Sequence, residues 1–304
     1  QAALDLCCRL LLDPGDPAWI EEPGYLGARG ALTAAGARLI PVPVDAHGLD
    51  VQAGVALAPA ARLAYVTPSH QFPLGITMTL ARRLELLAWA AAAGAWILED
   101  DYDSEYRYAG RPVAAVQGLD PAGRVISIGT FSKTMFPAVR AAWLVVPPAL
   151  VDTFAAVLRI TGDGVNTDVQ AALADFLGDG HFAAHVRRMR GLYADRQARL
   201  VRALRRRLDG LLDVEPRDGG MQLPAFLPPG VDDVAASRAA DTEGITAAPL
   251  TAYHLEPPRR GGFYLGYAGV PEREITAGVE RLARVLEPRH GGVVRRAMLG
   301  SPRR

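Results

Sequence analysis

Short apolar runs alternate with helical patterns through the first half of the chain, and this alternation restricts the fold more than any other feature. Strand-like runs fall at 19–21, 38–44, 62–67, 96–98, 125–128 and 142–146. Between them lie a helix over 2–12 closed by Asp13-Pro14-Gly15-Asp16, and a helix from the Pro23-Gly24 turn to about Ala35. A third helix covers 80–93, with apolar Leu80, Leu84, Leu87 and Trp89 and a terminal Gly94. Strands joined through helices pair in parallel, and a parallel sheet has to be covered on both faces. The expectation is an α/β fold with a mainly parallel sheet.

The second half reads differently. Helices at 169–177 and 181–208, the latter rich in Arg, precede short strands at 212–214, 221–226, near Ile245 and at 263–267. Further helices cover 232–242 and 272–286. This pattern predicts a large domain over 1–163, a smaller C-terminal α+β domain over 164–288, and a disordered Gly-, Pro- and Arg-rich tail over 289–304. No internal repeat is present.

Composition narrows the function classes. The 304 residues, 50% of them hydrophobic, suffice for one large core or two moderate ones. The 33 basic residues balance 33 acidic ones, so net charge points to no polyanionic partner. Cys7 and Cys8 are adjacent, a poor geometry for a bridge, and read as small core residues of a reducing compartment. No apolar run reaches the roughly 18 residues of a membrane span, and no signal peptide opens the sequence. A cytoplasmic location with no membrane contact and no metal site is expected.

Of the 33 basic residues, only one is lysine, Lys133. Arg replaces Lys well for solubility and surface ion pairs. It cannot replace an amine that must lose a proton and attack a carbonyl, because the guanidinium stays protonated. Lys133 is therefore a candidate for amine chemistry, against the alternative that one lysine persisted by chance.

In open parallel sheets, ligands sit beyond the C-terminal strand ends. The strand at 96–98 delivers Asp100, Asp101 and Tyr102, and the strand at 125–128 delivers Gly129-Thr130-Phe131-Ser132-Lys133. A carboxylate, a phenol, two hydroxyls and an amine at one crevice match what pyridoxal 5'-phosphate requires. Lys133 would form a Schiff base with its aldehyde and then shuttle a proton. A carboxylate keeps the pyridine nitrogen protonated, and the phosphate needs hydroxyls, backbone N–H groups and a cation. Arg140, seven residues beyond Lys133, can return to that end.

The stretches Ile97-Leu98-Glu99-Asp100-Asp101-Tyr102-Asp103-Ser104-Glu105-Tyr106 and Gly129-Thr130-Phe131-Ser132-Lys133-Thr134-Met135-Phe136-Pro137-Ala138-Val139-Arg140 resemble class I/II aminotransferases of fold type I. More narrowly they resemble the aminotransferase-like domain of MocR regulators, a branch of the GntR transcription factors. Asp13-Pro14-Gly15-Asp16, Glu22-Pro23-Gly24-Tyr25 and Thr67-Pro68-Ser69-His70-Gln71-Phe72-Pro73-Leu74-Gly75 agree with it. The resemblance implies a pyridoxal-phosphate-dependent transferase fold, with Lys133 as the Schiff-base residue and Asp100 as the pyridinium partner. It places Tyr102 near the cofactor's O3′, Thr130, Ser132 and Arg140 at the phosphate, and Tyr25 over the ring face. A homodimer is implied as well. Tyr25 as ordinary core packing, His70 as a structural or exposed loop residue, Asp100-Asp101 as a solvated turn or a metal-ligand pair, and Asp103 and Glu105 as a solvated continuation remain the plain alternatives. Arg187, Arg188, Arg190, Arg196, Arg199 and Arg202 read as a solvated helix face rather than a nucleic-acid one.

Two departures from the aminotransferase pattern matter. Phe72-Pro73-Leu74-Gly75 stands where many aminotransferases have Asn-Pro-Thr-Gly, as in MocR-like domains, and strand 263–267 carries no Arg for a substrate carboxylate. Arg259 and Arg260 are the available substitutes. The chain also begins after the position of a Gly/Ser-rich phosphate-binding segment, which reads as an N-terminal truncation. These features favour an effector-sensing domain that reacts with a small amine or amino acid, with DNA contacted only through a winged helix-turn-helix outside this chain. The alternatives are a free-standing aminotransferase acting on an amino acid and a 2-oxo acid, or a partner-binding domain that has lost chemistry.

Overall fold

The computed structural model describes residues 1–162 and 164–287, which divide into two compact units. The first comprises Gln1–Phe72, Ile76–Glu105 and Gly110–Arg187; the second comprises Pro73–Gly75, Tyr106–Ala109 and the chain from Arg188. Residues 164–187, expected to open the smaller domain, group with the first unit. Phe182 packs edge-on against Phe131 at 5.9 Å, and His185 Nε2 lies 3.0 Å from the Thr134 carbonyl. These contacts hold the segment there. The tail expected at 289–304 lies outside the described residues.

The first unit is built on seven strands: β1 (Pro17–Glu22), β2 (Arg38–Asp45), β3 (Gly48–Leu49), β4 (Leu63–Val66), β5 (Trp96–Asp101), β6 (Val125–Thr130) and β7 (Ala142–Val145). Their order is β3-β2-β1-β4-β5-β6-β7, parallel from β2 to β6. The edge strands β3 and β7 run antiparallel, because neither follows a helical crossover that would bring the chain back in the same direction.

The helices of this unit are α1 (Ala2–Leu11), α2 (Leu26–Ala34), α3 (Val51–Leu57), α4 (Leu80–Ala93), α5 (Phe131–Thr134), α6 (Val151–Thr161) and α7 (Thr167–Gly178). Helices α3 and α6 were not expected from sequence. α3 is short and starts on an Asp50 cap that accepts from the Ala53 N–H at 3.1 Å. α6 is rich in β-branched residues, so packing rather than propensity makes it helical.

Successive strand residues feed two different cores. Trp19, Ala64, Val66, Ile97 and Val125 pack with Val51 of α3 and with Leu86, Leu87 and Ala90 of α4. Ala18, Ile20, Leu63, Tyr65, Leu98, Ile126 and Ile128 pack on the opposite side with α1, α2 and Phe154 of α6. Truncating one of these residues, as in Leu98→Ala, is expected to cost about 2–5 kcal/mol. Cys7 and Cys8 lie in this second core as free thiols. Burial pushes the Cys8 thiol up to about 12, so it packs rather than reacts.

The second unit has four antiparallel strands in the order β10-β11-β9-β8: β8 (Asp213–Val214), β9 (Gln222–Phe226), β10 (Ala248–Pro249) and β11 (Gly262–Gly266). The later part of α8 (His181–Arg207) joins α9 (Asp233–Thr242) and α10 (Glu272–Leu286) around Leu204, Leu223, Phe263 and Leu282. The strand expected near Ile245 begins instead at Ala248. Ile245 closes α9 by donating its N–H to the Ala240 carbonyl at 3.0 Å. Arg187, Arg188, Arg190 and Arg202 of α8 are exposed and Arg199 pairs with Glu272 at 2.8 Å, as a solvated face would have it, whereas Arg196 is half-buried and donates to the Ala268 carbonyl. Among the described residues no helix is long and apolar enough to cross a membrane.

Candidate functional site

Strand register brings the two motif-bearing segments to one sheet edge. Asp100 pairs with Ile128 and Asp101 with Gly129, so the chain leaves β5 and β6 side by side at their C-terminal ends. The alternation that builds two cores then separates three consecutive acids. Glu99 faces α4, where it lies 3.8 Å from Arg83 and accepts from the Val116 and Gln117 N–H groups at 2.8 Å each. Asp101 folds back on Ser104, accepting from its hydroxyl at 2.7 Å. Only Asp100 faces the other side, the side of Tyr65.

Tyr65 is paired with Leu98, which makes Asp100 its diagonal neighbour. The Tyr65 hydroxyl donates to Asp100 Oδ2 at 2.6 Å. Burial pushes the Asp100 carboxyl up to about 6, and the Tyr65 hydrogen bond offsets only part of that. The Tyr65 phenol is itself held well above its ordinary range by burial and by Asp100, so it stays a donor. A carboxyl in this position is under-compensated: a cation or a charged N–H facing it would restore the carboxylate.

The lysine segment is organised differently. Thr130 caps α5, its Oγ1 accepting from the Ser132 N–H at 3.1 Å and donating to the Ala141 carbonyl at 3.3 Å. Phe131 also donates its N–H to Ala141, at 3.0 Å. Lys133 itself is exposed and makes no hydrogen bond or ion pair with any described residue. After this turn the chain reverses, pairing Thr130 with Ala142, which returns Arg140 toward the start of α5. Arg140 has φ 47° and ψ 30°, and it is the one non-glycine residue with positive φ among those described. A left-handed backbone costs an ordinary side chain about 1–2 kcal/mol. Gly129 is required: a Cβ there would lie 2.0 Å from the Trp143 ring on the facing strand.

A third segment completes the edge. Tyr25, at the start of α2, is half-buried with its ring edge-on to Phe72 at 5.5 Å, and Phe72 meets Tyr102 at 6.4 Å. Burial raises the Tyr25 phenol, and the Asp100 charge adds to it, which puts the two groups in one electrostatic neighbourhood. Below them Glu21, 1% exposed, accepts from the Thr67 N–H at 3.2 Å and the Thr67 hydroxyl at 2.6 Å. Burial pushes the Glu21 carboxyl up to about 7. Gln71 donates to the Pro23 carbonyl at 2.8 Å, tying this loop to the turn before Tyr25.

Two plain readings of the sequence are corrected here. Asp103 is not solvated but 2% exposed, and its Oδ2 lies 3.0 Å from Nδ1 of His70, which is also buried. The turn that Asp101 makes on Ser104 directs the following carboxylate inward. Arg260 is no free substitute for a substrate-gripping Arg. Its donors go to the Leu227 carbonyl at 2.6 Å, the Phe226 carbonyl at 3.3 Å and Asp213 at 3.0 Å.

The structure thus links Tyr25 to Tyr102 through the Phe72 ring, holds Asp100 on Tyr65, and ties Thr130, Ser132, Lys133 and Arg140 through backbone. What unites the two groups is the shared strand edge of β5 and β6. Sequence reasoning missed Tyr65 and Glu21. The available signal for Tyr65 was parity, a lone phenol on the strand next to β5. Glu21 carried none, because its burial is a tertiary property. Among the described residues no cluster of His, Cys, Asp and Glu is arranged to hold a metal ion.

Comparison with known proteins bears on this arrangement directly. The family model for aminotransferase class I and II matches residues 1–282. The chain belongs to the aminotransferase class I and II family. It is 47% identical over 282 residues to the probable rhizopine catabolism regulatory protein MocR of Rhizobium meliloti, covering 93% of this chain and 57% of that protein. It is 30% identical over 295 residues to aromatic-amino-acid aminotransferase 1 of Thermococcus litoralis, covering 94% of this chain and 70% of that enzyme. Among solved structures it superposes on LysN, the alpha-aminoadipate aminotransferase of Thermus thermophilus, complexed with N-(5'-phosphopyridoxyl)-L-leucine. The TM-score is 0.85 at 27% identity, over 93% of this chain and 74% of that one. The aminotransferase-family chain spans a little over half the length of the first regulators it matches.

Proposed function

We propose that this aminotransferase-family domain binds pyridoxal phosphate through Lys133 and serves as the effector-sensing part of a larger MocR-type transcriptional regulator. The observation that carries the cofactor reading is the under-compensated Asp100, on the strand edge next to the segment bearing the chain's single lysine. When bound, the cofactor supplies an aldehyde that condenses with amines and a pyridinium ring that takes up electrons. Asp100 holds the charge that the ring nitrogen requires. Lys133 offers its amine and afterwards holds the proton to be moved. Thr130, Ser132 and Arg140 bind the phosphate, Arg140 as the charge-assisted donor. Tyr102 donates to the ring's O3′, and Tyr25 covers a ring face and excludes water from it.

The regulator reading is supported by the 47% identity to a regulatory protein, and by further HTH-type regulators at 38% and 33%. It also agrees with Phe72 standing where many aminotransferases have Asn, and with an Arg260 whose donors are already engaged. In this reading the ligand is a small amine or amino acid, the domain forms a homodimer in the cytoplasm, and DNA is contacted through a winged helix-turn-helix outside these residues. A free-standing aminotransferase is the second reading, favoured by the 70% coverage of the Thermococcus litoralis enzyme.

The test is an absorbance spectrum with added pyridoxal phosphate, for the chain and for Lys133→Ala, followed by borohydride reduction and peptide mass mapping. A protein-dependent band and a reduced adduct on Lys133, both absent in the variant, are expected. An adduct elsewhere, or identical spectra, would overturn the assignment. Sustained turnover with an amino acid and a 2-oxo acid would favour the enzyme reading.

A further inference from the structure

Behind Tyr102 lies a hydrogen-bonded chain that the proposed cofactor binding leaves unused. A phenol has one proton, and the Tyr102 hydroxyl donates it to the His70 carbonyl at 2.8 Å. The same oxygen lies 3.1 Å from His70 Nδ1, which in turn lies 3.0 Å from Asp103 Oδ2. A carboxylate only accepts, and the phenol's proton is already committed. The hydrogen at this junction is therefore the imidazole's own, an Nδ1–H shared between Asp103 Oδ2 and the Tyr102 oxygen.

The surroundings are unusual for a purely structural pair. His70 is 7% exposed and Asp103 2%. Among the described residues, His70 Nε2 and Asp103 Oδ1 are both buried without a hydrogen-bond partner, and such orphaned atoms normally carry a cost. The charge on Asp103 also reaches its neighbours, raising the Asp100 and Asp101 carboxyls beyond what burial does. Among the described residues, the charged or titratable groups coupled to the junction are thus Asp100, Asp101, Asp103 and Tyr102, with Arg83 acting on Asp101 and the N-terminal amine on Asp100.

We propose that Asp103 and His70 are positioning residues for Tyr102. Asp103 holds the His70 proton on Nδ1, and Nδ1–H fills an acceptor site of the phenolic oxygen. The phenol's own proton is then the one it turns from the His70 carbonyl toward the cofactor's O3′. The last step rests on the cofactor reading above; the tautomer does not.

The test has two arms, both on the full chain. In the first, the 15N-histidine-labelled protein without cofactor is studied by two-bond 1H–15N correlation near pH 8, with His70→Gln providing the assignment. A proton on Nδ1 is expected, with Asp103→Asn losing that preference and Tyr102→Phe keeping it. A proton on Nε2 alone in the wild type overturns the proposal, and this reading needs no destabilising variant.

In the second arm, the absorbance of bound pyridoxal phosphate is titrated with pH. His70→Gln weakens Tyr102 as a donor and moves the midpoint upward by on the order of one pH unit. In a Tyr102→Phe background the same substitution moves it no further. A shift that persists in that background overturns the role, because His70 would then act by another route. If the wild type takes up no cofactor while Nδ1 carries the proton, the cofactor reading has failed. The positioning role falls with it, and the hydrogen-bond assignment stands.

Discussion

The two halves of the candidate site are held by different means. The β5 half, with Asp100, Tyr65, Tyr102 and His70, is held through side chains: a 2.6 Å phenol–carboxyl bond and a separate Tyr102–His70–Asp103 run. The β6–β7 half is shaped by backbone. Thr130 caps a one-turn helix, the chain reverses on Ala142, and Arg140 is set by its own left-handed conformation. The reactive groups of that half, Lys133 and Arg140, are exposed. A group that must hold one protonation state benefits from a fixed environment. A group that must bond to an incoming molecule needs its donors uncommitted.

The comparison can be broken most decisively at Lys133. Lys133→Arg retains the charge yet is expected to abolish reducible cofactor capture completely, read by the mass of the borohydride-treated protein, because a guanidinium does not surrender its proton. Capture by the variant would remove the chemical reason for the lysine.

The next effect tests the side-chain-held half through pH. The folded Glu21 carboxyl is pushed up to about 7 from 4.5, so the folded state keeps a proton that the unfolded chain has released. Stability should therefore fall as pH rises from about 4.5 to about 7, by roughly 3 kcal/mol at most, at about 1.4 kcal/mol per pH unit. Asp100 adds a decline of the same sign between 3.8 and about 6. Urea unfolding of the cofactor-free chain at pH 5 and pH 8 measures the slope, and Glu21→Gln should flatten it. An unchanged slope would mean that burial at Glu21 does not set its titration.

The backbone-shaped half is probed by Gly129→Ala, whose methyl meets the Trp143 ring and should cost about 1–3 kcal/mol. Thermal melts of Gly129→Ala alone and combined with Trp143→Ala would show whether removing the ring restores stability. Smaller still is Arg140→Gly. It should raise stability by about 1 kcal/mol by relieving the left-handed backbone, while weakening phosphate binding about tenfold, read by cofactor titration. Opposite signs for stability and affinity would separate backbone from side chain at this position.

Sequence reading reached the frame of the site and missed part of its support. Helices 80–93 and 272–286 match α4 and α10, because strong apolar periodicity and end signals coincide there. The convergence of Asp100 with Thr130 and Lys133 followed from the rule for strand ends, and the β5–β6 register agrees with it. Asp103 misled, since its charge argued for solvent and only the turn at Asp101 and a waiting His70 bury it. Tyr65 and Glu21 act across strands that lie 35 or more residues from Asp100 in sequence. No local pattern spans that distance.

Strand β5 delivers its acids as a text in two-letter phase. Glu99 is read by the α4 face, where Arg83 awaits it, and Asp100 by the opposite face, where Tyr65 does. A single-residue insertion or deletion ahead of this strand would change the phase without changing a word. An insertion would bring Glu99 to the place that faces Tyr65, and a deletion would bring Asp100 to the place beside Arg83. Only a slip of two residues preserves the phase, and that brings Leu98 or Tyr102 into Asp100's place. The length of the α4–β5 connection is thus as tightly constrained as the identity of Asp100 itself.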